Sequence, residues 1–204
     1  MTFKTEVLKA AKVLEADYPG WKFLARRYKS RPAKFCDFLI VPFWTFSSPP
    51  ASVLIQPKAG IYLREVEDIV SELTGLPRGK VPTFTYPIDS SFIDESCSKK
   101  NYYPRVYVKD FGSQEEAVEE VMRGLDNIIE TGQEYLNKQF ALSSKESLYQ
   151  SIPEMTRGHR CICYCVVRGL LGDTDYIERV LRKEIDPKGY QDLEIVGKVL
   201  DYFS

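Results

Sequence analysis

An apolar stripe at helical spacing runs through Val118, Val121, Leu125, Ile128, Ile129, Tyr135 and Leu136, ending near Phe140. It predicts a helix of about 27 residues starting at Ser113. Ser113-Gln-Glu-Glu116 has the form of a capping box, and carboxylates in a first turn suit the positive end of the helix dipole. Gly124 and Gly132 inside the stripe mark places for a bend or a close approach. So long an amphipathic helix has to lay its stripe on a wide apolar surface, and the sequence ahead of it supplies one.

Residues 3–16 place Val7, Leu8, Ala11 and Leu14 near helical spacing among lysines, an amphipathic helix closed by Asp17-Tyr-Pro-Gly20. From Trp21 the character turns to strand. Residues 21–28 are aromatic and short, Ser30-Arg-Pro32 predicts a turn, and residues 35–46 form the richest β-forming run in the chain. Ser47-Ser-Pro-Pro50 interrupts that run, after which Val53-Leu-Ile-Gln56 and Gly60-Ile-Tyr-Leu63 resume it. Adjacent strands joined by short turns predict an antiparallel meander. Pro42 and Pro57 have no N–H to give a ladder, so they mark bends, bulges or edges.

A helix is predicted over residues 65–73, with Val66, Ile69, Val70 and Leu73 on one stripe and Gly75 as its stop. Residues 76–104 read as an irregular excursion with candidate strands at 83–86 and 105–108. Beyond the long helix come helices at 144–150, 158–171, 174–183 and 187–203, with Gly172-Asp173 as a tight turn carrying a fresh N-cap. The order predicts one α+β domain over residues 1–204. Its antiparallel β-sheet with flanking helices occupies about residues 1–110, and its helical half about 111–204.

Hydrophobic residues at 44% and charged ones at 28% exclude wholesale disorder. No apolar run approaches the ~18–20 residues of a membrane span, and the first residues carry no signal-peptide apolar region. The expectation is a cytoplasmic protein with no membrane partner. The net charge of −1 conceals a polarity: residues 1–60 hold ten Lys and Arg against four Asp and Glu, and the remainder holds eighteen against twenty-five. Such polarity steers charged partners toward one face.

Chemistry has little to work with. His159 is the chain's one histidine, so any Ser-His-Asp or Cys-His mechanism has to pass through it, and no known motif places a partner beside it. There is no Gly-rich phosphate loop, no HExxH pair and no paired CxxC. No catalytic residue is assigned, and binding is favoured over catalysis. The five cysteines are odd in number and do not read as a disulfide framework. Cys161-Ile-Cys-Tyr-Cys165 invites a metal, but ligands at every second residue diverge around a helix. These cysteines are expected in the core, with no metal and no cofactor.

Asp37, inside the β-rich run, is expected to face outward on an alternating strand. Asp89, Asp94 and Glu95 match no cation-binding loop spacing. Residues 21–35 interleave Lys22, Arg26, Arg27, Lys29, Arg31 and Lys34 with Trp21, Phe23, Tyr28 and Phe35. That pattern supports an alternative reading as a nucleic-acid-associated protein, although a pI of about 6.0 does not fit a dedicated binder. The long helix carries seven carboxylates against Arg123 and Lys138. Glu119, Glu120, Asp126 and Glu130 are its preferred partner-binding residues, since a row of carboxylates can occupy a basic cleft.

The order of elements also resembles a known group. A short helix leads to Gly20-Trp-Lys-Phe23 and aromatic strands, then to Val53-Leu-Ile55 and Ile61-Tyr-Leu63, a helix, a long acidic helix and small helices. This is similar to bacterial α+β proteins of unknown function, some of which resemble immunity proteins of polymorphic toxin systems. The resemblance implies a single-domain cytosolic protein that neutralises a cognate toxin by binding it. It carries no catalytic residues over.

Overall fold

The computed structural model describes residues 1–77, 85–88, 103–186 and 192–204. The fold is α+β, with antiparallel sheets and helices in the N-terminal half and a helical C-terminal half, as the sequence predicts. The chain forms two compact units. One comprises Met1–Ile61 and Pro87–Gln139, the other Tyr62–Tyr86 and Phe140–Ser204. They do not divide at residue 110, because the long helix belongs with the sheets.

In the first unit, helix α1 (Phe3–Val13) is capped by the Thr2 hydroxyl and followed by a 3-10 turn, Leu14–Asp17. It buries Phe3, Val7 and Ala11, one residue per turn. Strands β1 (Trp21–Leu24), β2 (Arg27–Ala33) and β3 (Cys36–Val41) follow as antiparallel hairpins. The first turn is not at residues 30–32 as the sequence predicts. It lies at Ala25 and Arg26, whose φ angles of 49° and 63° make the two-residue, left-handed connection that matches strand twist. Neither residue carries the usual Gly or Asn signal. Arg31 and Pro32 instead form a register shift inside β2, which accommodates a residue without an N–H.

The β-rich run 35–46 is split between two sheets. After β3, Pro42 and Phe43 (φ 46°) break the ladder, and β4 (Trp44–Ser47) pairs with β5 (Ser52–Ile55), which pairs with β8 (Tyr103–Tyr107). The other sheet runs β1-β2-β3-β6-β7, with β6 (Lys58–Tyr62) beside β3 and β7 (Tyr86–Ile88) beyond it. The chain is therefore not a simple meander. Ser113 caps helix α3 (Gln114–Gln139) through a bond from the Glu116 amide, and the Glu116 carboxylate returns to the Gly112 amide. The helix runs unbroken through Gly124 and Gly132, both buried, and packs on α1, β3 and β8.

The second unit is helical. Helix α2 (Arg64–Thr74) stops at Gly75 in the left-handed conformation, as the sequence predicts. Helices α4 (Lys145–Ser151), α5 (Gly158–Leu170), α6 (Thr174–Leu181) and α7 (Leu193–Phe203) follow. Ser144, Asp173 and Asp192 cap α4, α6 and α7 through their side-chain oxygens. The Glu65 carboxylate accepts hydrogen bonds from Lys145 and the Tyr149 hydroxyl, fastening α2 to α4.

β3 is buried at all six positions, and Asp37 among them is only 3% exposed, not outward-facing. Both sheet faces are covered there, so alternation does not bring it to water. Its carboxylate instead takes Lys29 at 2.7 Å on one oxygen and Arg31 at 2.8 Å on the other. Burial alone would raise this carboxyl, but the bonds from Arg31 and Lys29 hold it below its ordinary value. A carboxyl depressed in the folded state adds stability above its unfolded value near pH 4, and that stability is lost as pH falls through the folded value. Asp37→Asn should lower stability by about 1–3 kcal/mol at neutral pH, and less than a fully dry pair would, because Arg31 is half-exposed. Urea unfolding from pH 7 to 2 should show a flatter acid limb in the variant. A second prediction concerns the first hairpin. Arg26→Gly removes a left-handed non-glycine residue and should stabilise by about 0.5–1 kcal/mol in the same assay.

Candidate functional site

Helix α3 presents a row of like charge. With 3.6 residues per turn, Glu119, Asp126 and Glu130 fall on one line along its exposed side. Glu115 and Glu134 extend the line at either end, both exposed. Among the described residues, Glu119 and Glu130 have no cation at ion-pair distance. Asp126 accepts the Tyr18 hydroxyl at 2.5 Å, which fixes it against the 3-10 turn that follows α1. Burial first, and the Asp126 carboxylate next, push the Tyr18 phenol up, so it stays a donor.

Glu120 is placed differently. It lies about 100° around the helix from Glu119, is partly buried and is paired with Arg123 at 2.5 Å. It borders a separate depression formed with Val53, Arg105, Tyr107 and Asp110. Three of the four residues singled out from the sequence are thus brought together, and the fourth is set apart.

Beside the acidic line lies an apolar surface that the sequence did not reveal. Ala10, Val13 and Leu14 of α1 and its 3-10 turn meet Met122 of α3 in an open depression, with Glu6, Lys9 and Asp17 on its margin. Val13 is 67% exposed. Because α1 buries the 3-7-11 face, this is its other flank. An apolar centre with a charged rim is the composition of a protein-binding surface. The signal in sequence was weak, since Leu14 continues the apolar pattern of α1 and Val13 stands outside it.

In the basic stretch 21–35 two of the four aromatic rings are withdrawn and three of the cations are paired. Trp21 and Tyr28 are in the core at 3% and 0% exposure, so neither ring offers a face for a base. Lys22 pairs with Glu15, and Lys29 and Arg31 pair with Asp37. Bonds from Lys12, the Phe23 amide and Lys22 hold the Glu15 carboxyl down to about 2.

In the second unit the cysteine cluster lies buried in α5, as expected, and resolves into two pairs one turn apart. Cys161 and Cys165 share a side-chain hydrogen bond, and this bond and burial push the Cys165 thiol up. On another side of the helix, Cys163 Sγ stands 3.5 Å from His159 Nε2, with Glu67 of α2 near both. The i, i+2 spacing had hidden this i, i+4 pair, and Glu67 is too distant in sequence to have been joined to it. Asp89, Asp94, Glu95 and Cys97 lie outside the described residues.

No protein-family model, curated protein or solved structure matches this chain.

The seam between Tyr18 and α3 is testable apart from any partner. Tyr18→Phe removes the bond to Asp126 and should cost about 0.5–1.5 kcal/mol in chemical denaturation, with helix content by circular dichroism unchanged.

Proposed function

We propose that this protein is a non-enzymatic binding protein that captures a basic partner protein on the α1–α3 face, acting as an immunity protein that neutralises a cognate bacterial toxin. The observation that supports this most is the line of exposed carboxylates Glu119, Asp126 and Glu130 beside the apolar depression floored by Val13 and Met122. The carboxylates speed encounter with a positive surface, and the apolar floor slows departure once it is filled. A nuclease fits as the partner class, because a cleft that holds phosphate is basic and a row of carboxylates can occupy it.

The experiment is co-purification with the product of the adjacent gene, followed by association and dissociation kinetics at low and high salt. Reversing Glu119, Asp126 and Glu130 together to lysine should slow association at least about tenfold at low salt and flatten its salt dependence. Val13→Ser, which removes apolar surface without adding charge, should act on dissociation instead. Glu120→Gln serves as the comparison and should change association far less than the triple reversal, since Glu120 lies about 100° around the helix from Glu119 and changes by one charge only. Unchanged kinetics in the triple variant would remove this face from the interface. RNA or DNA binding in place of protein binding would overturn the reading.

A further inference from the structure

Three donor side chains of different chemistry converge in the second unit, and neither the fold nor the proposed binding role uses them. Glu67 comes from α2, and His159 and Cys163 stand one turn apart on α5. Their ligand atoms all lie within 4.8 Å of one another. We propose that Glu67, His159 and Cys163 form a site for a zinc-class divalent cation, with water in the fourth position. This goes beyond the binding role above, does not depend on it, and departs from the expectation that the α5 cysteines hold no metal.

Spacing is the first reason. A thiolate about 2.3 Å and an imidazole about 2.0–2.1 Å from one tetrahedral zinc stand about 3.5 Å apart. Cys163 Sγ and His159 Nε2 are 3.5 Å apart. The helix therefore already holds two ligands at the separation a shared ion would set. Glu67, longer and only half-buried, closes the remaining distance by side-chain rotation.

Charge is the second reason. One thiolate, one carboxylate and one neutral imidazole cancel a divalent charge, so the occupied site adds no net charge beside the core. Thiolate and imidazole together select zinc and its neighbours over calcium or magnesium, which take oxygen. Binding replaces the Cys163 S–H by an S–metal bond and releases one proton to solvent.

Access is the third reason. Cys163 is fully buried, Glu67 half-buried and His159 exposed, so the ligands form a path from surface to interior. His159 itself lines an open depression with Met155, Thr156, Gly158 and Arg160, so solvent reaches the cluster from that side. The Tyr86 hydroxyl is buried and has no hydrogen-bond partner among the described residues, and the charges of Cys163 and Glu67 both bear on it. A metal thiolate is a stronger acceptor for such a hydroxyl than a neutral thiol is.

The test uses the whole chain, stripped with chelator and titrated with cobalt and then zinc. One equivalent of cobalt should bring a thiolate-to-cobalt charge-transfer band and the visible absorption of tetrahedral cobalt, and one equivalent of zinc should remove both. His159→Ala changes an exposed side chain, and Glu67→Gln a half-buried one. Each should weaken binding at least about tenfold, the loss that even an outer-shell contact brings. Cys163→Ser should abolish the charge-transfer band while Cys161→Ser keeps it. Should Cys163→Ser fail to fold, the His159 and Glu67 variants decide alone. No band with cobalt in large excess, or unchanged affinity in His159→Ala, would overturn the proposal. So would a band that survives Cys163→Ser and disappears in Cys161→Ser.

Discussion

Burial of β3 on both faces is the constraint on which the first unit depends. A strand with no exposed position needs cover on each side, and it admits a charged residue only if that charge is answered nearby. The answer comes from β2, where Lys29 and Arg31 reach back across the hairpin to Asp37. The register shift around Arg31 and Pro32 belongs to the same arrangement, since Ser30 pairs with Phe38 and Ala33 with Cys36, leaving two residues of β2 between them. Tyr28, opposite Ile40 in the same hairpin, sends its hydroxyl to the Ala11 carbonyl and so ties α1 to the sheet. One buried strand thus fixes the charges of its neighbour, the position of a bulge and the seat of the first helix.

Local rules made the helices legible. Ser113, Ser144, Asp173 and Gly75 each announce a helix end through a cap or a left-handed stop, and each end falls where the residue places it. What could not be read was pairing. The 35–46 run is β-rich on both sides of Pro42, which the sequence marks as a bend, bulge or edge but not as a change of sheet, yet its halves enter different sheets. The hairpin at Ala25 and Arg26 was invisible because its residues are poor at the backbone angles they adopt. Tertiary pairing between β1 and β2 holds them there.

The candidate sites divide in the same way. The acidic row on α3 follows from helical periodicity and was readable, while the apolar depression beside it required knowing which flank of α1 is covered. The i, i+4 relation of His159 and Cys163 stood in the sequence but was masked by the more conspicuous alternation of three cysteines. Glu67, 92 residues before His159, had no local signal at all. The basic polarity of residues 1–60 illustrates the reverse case. Lys22, Lys29 and Arg31 are engaged with Glu15 and Asp37, so three of the cations are tied into ion pairs within the stretch although its net charge is unchanged.

The acidic row is also more than a count of carboxylates. A rise of about 1.5 Å per residue puts Glu119 and Asp126 about 10 Å apart and Asp126 and Glu130 about 6 Å apart. Those separations are comparable with the ~8–10 Å screening length of physiological salt. An approaching cationic surface therefore meets one merged field and not three separate charges. Single reversals along the row leave most of that field in place, and the joint reversal inverts it. On the proposed role the effect on association is then cumulative in the row, and Glu120, paired with Arg123 and bordering another depression, lies off that line. On the proposed role, position on the helix, and not identity as an acid alone, decides which carboxylates belong to the row.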